Sequence, residues 1–144
     1  MFIGEFKHKL DTKNRMTLPA KFRDQIGESF VITKGLDGCL SAYTMEKWNA
    51  ILAKLVTLPS TNKQARTYVR ALTSKACECS FDNQGRIQIP AYLTKEANLT
   101  KDVMVVGVGD RIELWDADTW EKYDEQAQAD FDEVAETVTE YLIP

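Results

Sequence analysis

Two arginines occupy the same place in two similar stretches of this 144-residue chain, and an arginine so placed could bind an anion. Arg15 lies in LDTKNRMTLPAKFR, residues 10–23, and Arg86 lies in FDNQGRIQIPAYLT, residues 81–94. A guanidinium can bridge phosphate oxygens or form two parallel hydrogen bonds to the O6/N7 edge of guanine. Each arginine also follows an aspartate by four positions and could pair with that carboxylate to stabilise a turn. The spacing alone leaves both roles open.

The other polar residues of the two stretches are not equivalent. Lys13 lies inside the first turn, where the second stretch has Gln84, and Lys21 and Arg23 follow where the second stretch has uncharged residues. Because attraction to phosphate grows with the number of positive charges, we expect the first stretch to attract phosphate groups more strongly. Gln84 could still hydrogen-bond a base.

Two further groups of basic residues are candidates for the same role. Lys7 and Lys9 alternate onto one exposed face of a predicted strand, where they are either phosphate contacts or solvated lysines. Lys63, Arg66 and Arg70 form a stripe on a predicted helix and are a rival DNA surface. Solvation, or pairing with the acidic C-terminal helix, explains this stripe better, because exposed charges commonly need no partner.

The residue types do not favour catalysis. Asp11 and Asp82 are equivalent aspartates in a duplicated chain, as in aspartic proteases, but neither is followed by Thr/Ser-Gly. A lysine beside the carboxylate would lower its pKa and oppose the proton sharing that such a dyad requires. The sequence also has no Gly-rich phosphate loop, no paired histidines and no nucleophile elbow. We therefore predict that the chain is not an enzyme.

The cysteines do not predict a disulfide framework or a metal centre. Cys39, Cys77 and Cys79 are odd in number, and His8 is the only histidine available as a further ligand. Cys77 and Cys79 alternate, so they should share one face of a strand as small buried side chains. We expect no metal and no cofactor.

The chain contains an internal duplication, which predicts equivalent structural elements around the two arginines. A shift of 71 residues aligns Asp11 with Asp82, Asn14 with Gly85, Arg15 with Arg86, Pro19 with Pro90 and Gly27 with Asn98. Asn and Gly most readily adopt the left-handed conformation, so their interchange at positions 14 and 85 predicts a positive φ there. Asp11 and Asp82 accept bonds from nearby backbone N–H groups in such turns. These four residues are therefore predicted to support two tight turns.

Each unit is predicted to contain strand, turn, strand, short helix, strand and strand. On the second strand, Met16 turns inward while Arg15 and Thr17 face outward, and Arg86 and Gln88 face outward in the other copy. Pro19 and Pro90 suit the first position of the short helix, which Gly27 or Asn98 ends. About 45 such residues make a poor core alone, so the halves should complete each other in one barrel-like β structure.

The predicted organisation has four segments. They are a first repeat with its trailing helix over 1–59, a connecting helix over 60–75, a second repeat over 76–119 and an acidic C-terminal helix over 120–144. The last helix is predicted to be continuous, with an apolar seam that could dock on a neighbour. The seam consists of Ala127, Phe131, Val134, Val138 and Tyr141.

Composition and charge are compatible with a globular DNA-binding protein. Hydrophobic residues make up 44% of the chain, and no apolar run is long enough to cross a bilayer. The N-terminus lacks the features of a signal peptide, so we expect a cytosolic protein. Residues 1–23 contain six basic and two acidic residues, whereas residues 101–144 contain three basic and thirteen acidic ones. The low overall pI of about 5.1 argues against binding to nucleic acid. The basic residues 1–23 make such binding possible nevertheless, because the local field acts at contact distance.

The two motifs resemble the MraZ family. DTKNRMTLPAKFR and DNQGRIQIPAYL each contain an Asp-x-x-x-Arg turn followed by an apolar strand and a proline. The N-terminal MFIGEFKHKLDTKNR, the spacing of the copies and STNKQARTYVRALTSKACECSFDNQGRIQIP extend the resemblance over nearly the whole chain. It implies that each half has the AbrB/SpoVT type of fold. The implied fold is mainly β with peripheral helices, a duplicated swapped-hairpin (double-split) β-barrel followed by a C-terminal helix.

The resemblance also implies a function. It points to a bacterial transcriptional regulator of the division and cell-wall gene cluster, associated with the nucleoid in the cytoplasm. Its partners would be double-stranded promoter DNA with tandem repeats and further copies of itself in a ring-like, octamer-like homo-oligomer, with no membrane contact. Arg15 and, less strongly, Arg86 would contact DNA. The alternative is an antitoxin-like protein-interaction module without specific DNA binding.

Overall fold

The computed structural model describes residues 1–142, and the elements of each half follow the same order. The first half contains β1 (Phe2–Lys9), β2 (Arg15–Thr17), α1 (Ala20–Ile26), β3 (Ser29–Lys34), β4 (Leu40–Thr44) and α2 (Met45–Leu55). Helix α3 (Lys63–Thr73) connects the halves. The second half contains β5 (Cys77–Ser80), β6 (Arg86–Gln88), α4 (Ala91–Glu96), β7 (Asp102–Gly109), β8 (Ile112–Asp116), α5 (Ala117–Ala129) and α6 (Phe131–Leu142).

The strands of the two halves are interleaved. A six-stranded antiparallel sheet has the order β1-β7-β8-β4-β3-β5, and β2 and β6 form a separate two-stranded ribbon. Strand β1 pairs with β7 of the other half, and β5 pairs equivalently with β3. The pairs β2–β6 and β4–β8 each join the same strand of the two copies, so a pseudo-twofold axis relates the halves. The predicted mainly β, duplicated fold with a C-terminal helical segment is confirmed.

The main core lies between the six-stranded sheet and the ribbon. Met16 and Ile87 close it from the ribbon, and Phe22 and Leu93 enter it from α1 and α4, all at most 2% exposed. Phe22 makes edge-on contacts with Phe2 and Phe6, with ring centroids 5.6 and 5.4 Å apart. Through Phe22, helix α1 packs against β1 in the core that the ribbon closes.

The opposite face of the sheet is covered by helices. Val31 packs with Trp48 of α2 and Leu72 of α3, while its neighbours on β3 point into the main core. Trp115 of β8 packs in the same way against Trp120 of α5. The ribbon and the helical layer therefore lie on opposite sides of the sheet. Among residues 1–142, no helix combines the length and apolar character needed to span a membrane.

The predicted turn conformations are confirmed. Asn14 and Gly85 have φ values of 59° and 73°, and Gly27 and Asn98 have 89° and 51° after the short helices. Asn and Gly thus exchange at positions where the backbone is left-handed. Cys77 and Cys79 also share the core-facing side of β5, as the alternation indicated.

Two local predictions were wrong. The C-terminal segment is two helices that meet at Asp130, whose side chain accepts a 2.8 Å hydrogen bond from Gln126 Nε2 and whose backbone leaves the helical conformation. Four residues of the predicted seam, all but Tyr141, line an apolar groove between α5 and α6. Pro19 and Pro90 precede the short helices rather than open them, because each has an extended ψ while its carbonyl accepts the first helical bonds.

Candidate nucleic-acid interface

The ribbon of β2 and β6 places both motif arginines on one exposed face. Directly opposed residues of an antiparallel pair point to the same side, and the opposed pairs alternate between the two sides. Met16 faces Ile87 on the buried side. The outer face of the ribbon consists of Arg15 opposite Gln88 and Thr17 opposite Arg86. The two arginines are diagonal neighbours, at a separation of about 7–8 Å in ladder geometry.

Each arginine is held by the aspartate of its own turn. Arg15 Nε donates to Asp11 Oδ2 at 2.8 Å, and Asp11 Oδ1 accepts from the backbone N–H groups of Lys13 and Arg15 at 2.9 and 2.8 Å. Asp82 receives the equivalent three bonds from Gln84 and Arg86 at 2.8 to 2.9 Å. The two turns therefore have the same geometry, and these bonds fix the direction of each guanidinium.

The contact with aspartate leaves part of each guanidinium available to a ligand. Only Nε is engaged, and within residues 1–142 neither Nη atom of Arg15 or Arg86 hydrogen-bonds to a protein acceptor. The two side chains are 29% and 28% exposed, so a ligand can reach them. The turn-supporting role and the anion-binding role, which the sequence left as alternatives, are therefore compatible in one side chain.

The pKa values of Asp11 and Asp82 lie below the ordinary value of 3.8. The largest cause is the backbone N–H of the arginine four residues on, and the guanidinium adds to it. Hydrogen bonds and positive charge both favour the ionised carboxyl. Each turn is thus organised around a carboxylate that remains charged at neutral pH.

This shift predicts how the turns respond to acid. A carboxyl whose folded-state pKa is depressed stabilises the fold above its unfolded pKa, and this contribution disappears as pH falls through the folded value. The turns should therefore stabilise the fold equally at pH 7 and pH 5, and lose their contribution below about pH 4. Urea unfolding between pH 7 and 2.5 should show this loss, and the double variant Asp11→Asn/Asp82→Asn should reduce it. Carboxyl NMR titrations with midpoints at or above the ordinary value would contradict the prediction.

The two loops contact the opposite ends of the ribbon. Residues 11–14 form the first loop and residues 82–85 form the second loop. Ile89 N–H donates to the Asn14 carbonyl at 2.8 Å, and Gln88 Nε2 donates to the Lys13 carbonyl at 2.9 Å. The first loop is thus fixed to the strand of the second copy. Lys13 and Gln84 occupy the exposed tips of the two loops.

Lys7 and Lys9 do not lie on the outer face of the ribbon. They point to the side of β1 that faces α5, where Glu5 accepts a 3.0 Å hydrogen bond from Trp120 Nε1. Lys7 lines a cleft there with five carboxylates, those of Glu5, Asp102, Asp118, Glu121 and Asp124. Lys9 is opposite Asp102, next to the start of the first loop. Nearby carboxylates reduce the attraction of Lys7 for phosphate.

Arg23 lies beside the second loop, although the sequence grouped it with the first. Its guanidinium is so near Gly85 that a Cβ added to that glycine would overlap Nη1. Arg23, which belongs to the first stretch in sequence, therefore adds its charge beside the second loop. Antiparallel pairing causes this arrangement, because α1 starts at the ribbon end that carries the second loop. Periodicity within one copy contains no signal for a contact between copies.

The Lys63, Arg66 and Arg70 stripe is remote from the ribbon. Helix α3 lies on the helical side of the sheet, where Thr33 Oγ1 donates to the Leu72 carbonyl at 2.8 Å. Arg66 Nη1 donates to the Ser60 carbonyl. In the described part of one chain, the stripe forms no ion pair with the acidic C-terminal helices.

The chain is similar to known proteins over nearly its whole length. The family described as "MraZ protein, putative antitoxin-like" matches the chain twice, over residues 1–71 and 72–141. A protein of Ligilactobacillus salivarius (strain UCC118), named transcriptional regulator MraZ, is 49% identical over 141 residues, covering 98% of this chain and 99% of that protein. Proteins of the same name from Alkaliphilus oremlandii and Clostridium tetani are 49% and 50% identical over 140 residues, covering 97% of this chain and 98% of each relative.

Proposed function

This chain belongs to the MraZ family, and we propose that it regulates transcription by binding double-stranded DNA through the outer face of the β2–β6 ribbon. The name shared by its relatives supports a role in transcription regulation. The observation that supports DNA binding is the pair of arginines on one exposed face, each fixed at Nε and, within residues 1–142, without a protein acceptor at Nη.

The geometry suits backbone contact combined with base reading. A two-stranded ribbon fits the major groove, where arginine pairs with guanine through two parallel hydrogen bonds. Arg15 and Arg86 would take this role or bridge phosphates, with Lys13 and Gln84 adding contacts from the loop tips. Lys9 adjoins the first loop and could reach a flanking phosphate. Lys7 contributes least, because carboxylates surround it.

The target we propose is the promoter of the bacterial division and cell-wall gene cluster, read as tandem short elements in the cytoplasmic nucleoid. One ribbon offers few positive charges, so a single chain on a single element would bind weakly. A ring-like homo-oligomer would align several ribbons on successive elements and gain affinity without new kinds of contact.

An exposed apolar groove supports self-association. It lies between α5 and α6, and its lining includes Tyr123, Phe131, Val134, Val138 and Leu142, which are 38–77% exposed. Exposed apolar surface of this kind marks interaction sites in soluble proteins. The rims of α6 are acidic, and the α2–α3 surface of another copy presents Arg66 and Arg70 beside apolar residues. We propose that the groove contacts that surface.

This assembly leads to a prediction about Phe131→Ser/Val138→Ser. The variant should dissociate to smaller species in light scattering, because it removes two exposed apolar side chains of the groove. It should also lose the preference of the wild type for a tandem array over a single element, while its affinity for the single element is retained. Glu136→Ser, on the same helix but outside the groove, is the control. A wild type with equal affinity for one element and an array would contradict the proposal.

Footprinting on the DNA upstream of the chain's own coding sequence tests the function directly. Wild type should protect regularly spaced short elements, and protection should fade steeply with rising salt. Uniform or absent protection would contradict specific binding.

A second candidate function is an antitoxin-like interaction module without specific DNA binding. The antitoxin-like description of the family and the exposed groove of α5 and α6 favour it. Charge reversal at Arg15 separates the two functions. Loss of promoter binding with the oligomer intact supports the regulator, whereas unaltered DNA binding removes Arg15 from the site.

A further inference from the structure

We propose that Arg23 is a DNA-contacting residue of the second loop, supplied by the first copy to the second. The inference rests on the proposed DNA-binding function and extends its site by one residue. The Arg23 side chain is exposed and, within residues 1–142, forms no salt bridge and no side-chain hydrogen bond. Its guanidinium lies against Gly85, immediately before Arg86.

Arg23 balances the charges of the two loops. Counted with the arginine that follows it, the first loop has Lys13 and Arg15 against Asp11, a net charge of +1. Counted in the same way, the second loop has only Arg86 against Asp82 and is neutral. Addition of Arg23 gives the second loop the same net charge of +1. The difference between Lys13 and Gln84, which made the copies look unequal in sequence, is therefore compensated in space.

The two turns also differ at their left-handed residue, and only the glycine lies beside Arg23. Asn14 and Gly85 have similar positive φ values, so either residue type satisfies the backbone. Gly85 faces Arg23, and a side chain at position 85 would occupy the space that the guanidinium fills. Thr94, the counterpart of Arg23, is buried and bonds to the Ala91 carbonyl. Position 94 therefore supplies no corresponding positive charge to the first loop.

The proposal predicts specific effects on DNA binding by the full-length chain. The probe is a labelled 40-base-pair duplex of random sequence, with affinity measured by fluorescence anisotropy from 50 to 200 mM salt. Arg23→Gln should weaken binding at 0.1 M salt by about eightfold per engaged chain and lower the salt slope by about 0.9. Lys21→Gln, on the same helix with the same charge loss, should have a smaller effect, because Lys21 lies over the Phe6 ring.

A rescue variant makes the test local to the second loop. Gln84→Lys copies the residue of the first loop and should restore binding and slope in the Arg23→Gln background. Gly85→Asn keeps the left-handed residue type of the first copy but should displace the guanidinium. It should therefore weaken binding in the wild type and have little further effect in Arg23→Gln.

The outcomes separate this inference from the proposed function. If Arg15→Ala weakens binding while Arg23→Gln behaves like Lys21→Gln, the Arg23 assignment is wrong and the ribbon remains the interface. If Gln84→Lys does not rescue Arg23→Gln, the charge acts elsewhere and the assignment is also wrong. If neither the wild type nor any variant binds the duplex, the DNA-binding function fails and the assignment fails with it.

Discussion

Replacement of Arg15 by alanine is expected to weaken DNA binding strongly while the protein remains folded and assembled. The guanidinium is fixed by Asp11 at Nε, and within residues 1–142 neither Nη atom has a protein acceptor. In the proposed complex it would therefore contact DNA with little further loss of side-chain entropy. Loss of one phosphate contact lowers affinity by about eightfold at 0.1 M salt. If two chains of an assembly are engaged, the loss is roughly sixtyfold, and more engaged chains increase it. Anisotropy titration and footprinting on the upstream DNA measure this effect.

Stability should change little in the same variant. The Arg15–Asp11 pair is exposed, and exposed pairs contribute little. The turn also keeps the backbone bonds that Lys13 and Arg15 donate to Asp11. Light scattering should therefore show the wild-type assembly.

Lys63→Ala is the control, and it also tests the rival surface on α3. It removes an exposed positive charge of the stripe that lies outside the proposed contact between copies, on the side of the sheet away from the ribbon, and should leave specific binding nearly intact. Equal losses in Arg15→Ala and Lys63→Ala would contradict the assignment to the ribbon. Wild-type affinity in Arg15→Ala would contradict it as well.

Replacement of Phe22 by alanine is expected to be the most destabilising single change among those considered. Phe22 is fully buried and packs edge-on against Phe2 and Phe6. Truncation of a buried phenylalanine lowers the free energy of unfolding by about 3–5 kcal/mol. That is a large part of the roughly 5–15 kcal/mol that stabilises a typical domain. Urea unfolding should show the loss, and the melting temperature should fall by roughly 10 °C or more.

The effect should reach the DNA interface, because α1 joins the ribbon to β1 and also bears Arg23. Tyr92→Ala is the control, since it removes an aromatic ring that is 46% exposed at the position of α4 equivalent to Lys21. It should change the free energy of unfolding by about 0.5 kcal/mol. Similar losses in both variants would show that Phe22 does not anchor the core in this way.

Local features of the fold and of the site were predictable from the sequence. The Asn/Gly interchange at positions 14 and 85 gave the left-handed turns, because few other residues tolerate a positive φ. The alternation of Arg15, Met16 and Thr17 gave the exposed and buried sides of β2, because successive strand residues point to opposite faces. Neither conclusion required knowledge of a partner strand.

Other features depended on packing between distant elements. The helix of the C-terminal segment is interrupted at Asp130. The segments on both sides of Asp130 follow the same helical periodicity, so the sequence pattern contains no signal for the interruption. Lys7 alternates like an exposed phosphate contact, but the position of α5 surrounds it with carboxylates. A repeat of hydrophobicity reports which face of an element is buried and contains no information on which element covers it.

The sequence by itself determined the duplication, the two Asp-x-x-x-Arg turns and the outward direction of the arginines. These depend on backbone conformation and strand alternation, which act over a few residues. The tertiary structure alone decided that the two copies exchange strands, so that both arginines share one face and Arg23 adjoins the second loop. Burial of apolar surface across the whole chain determines which distant segments come into contact. The positions of their charged side chains relative to one another follow from those contacts.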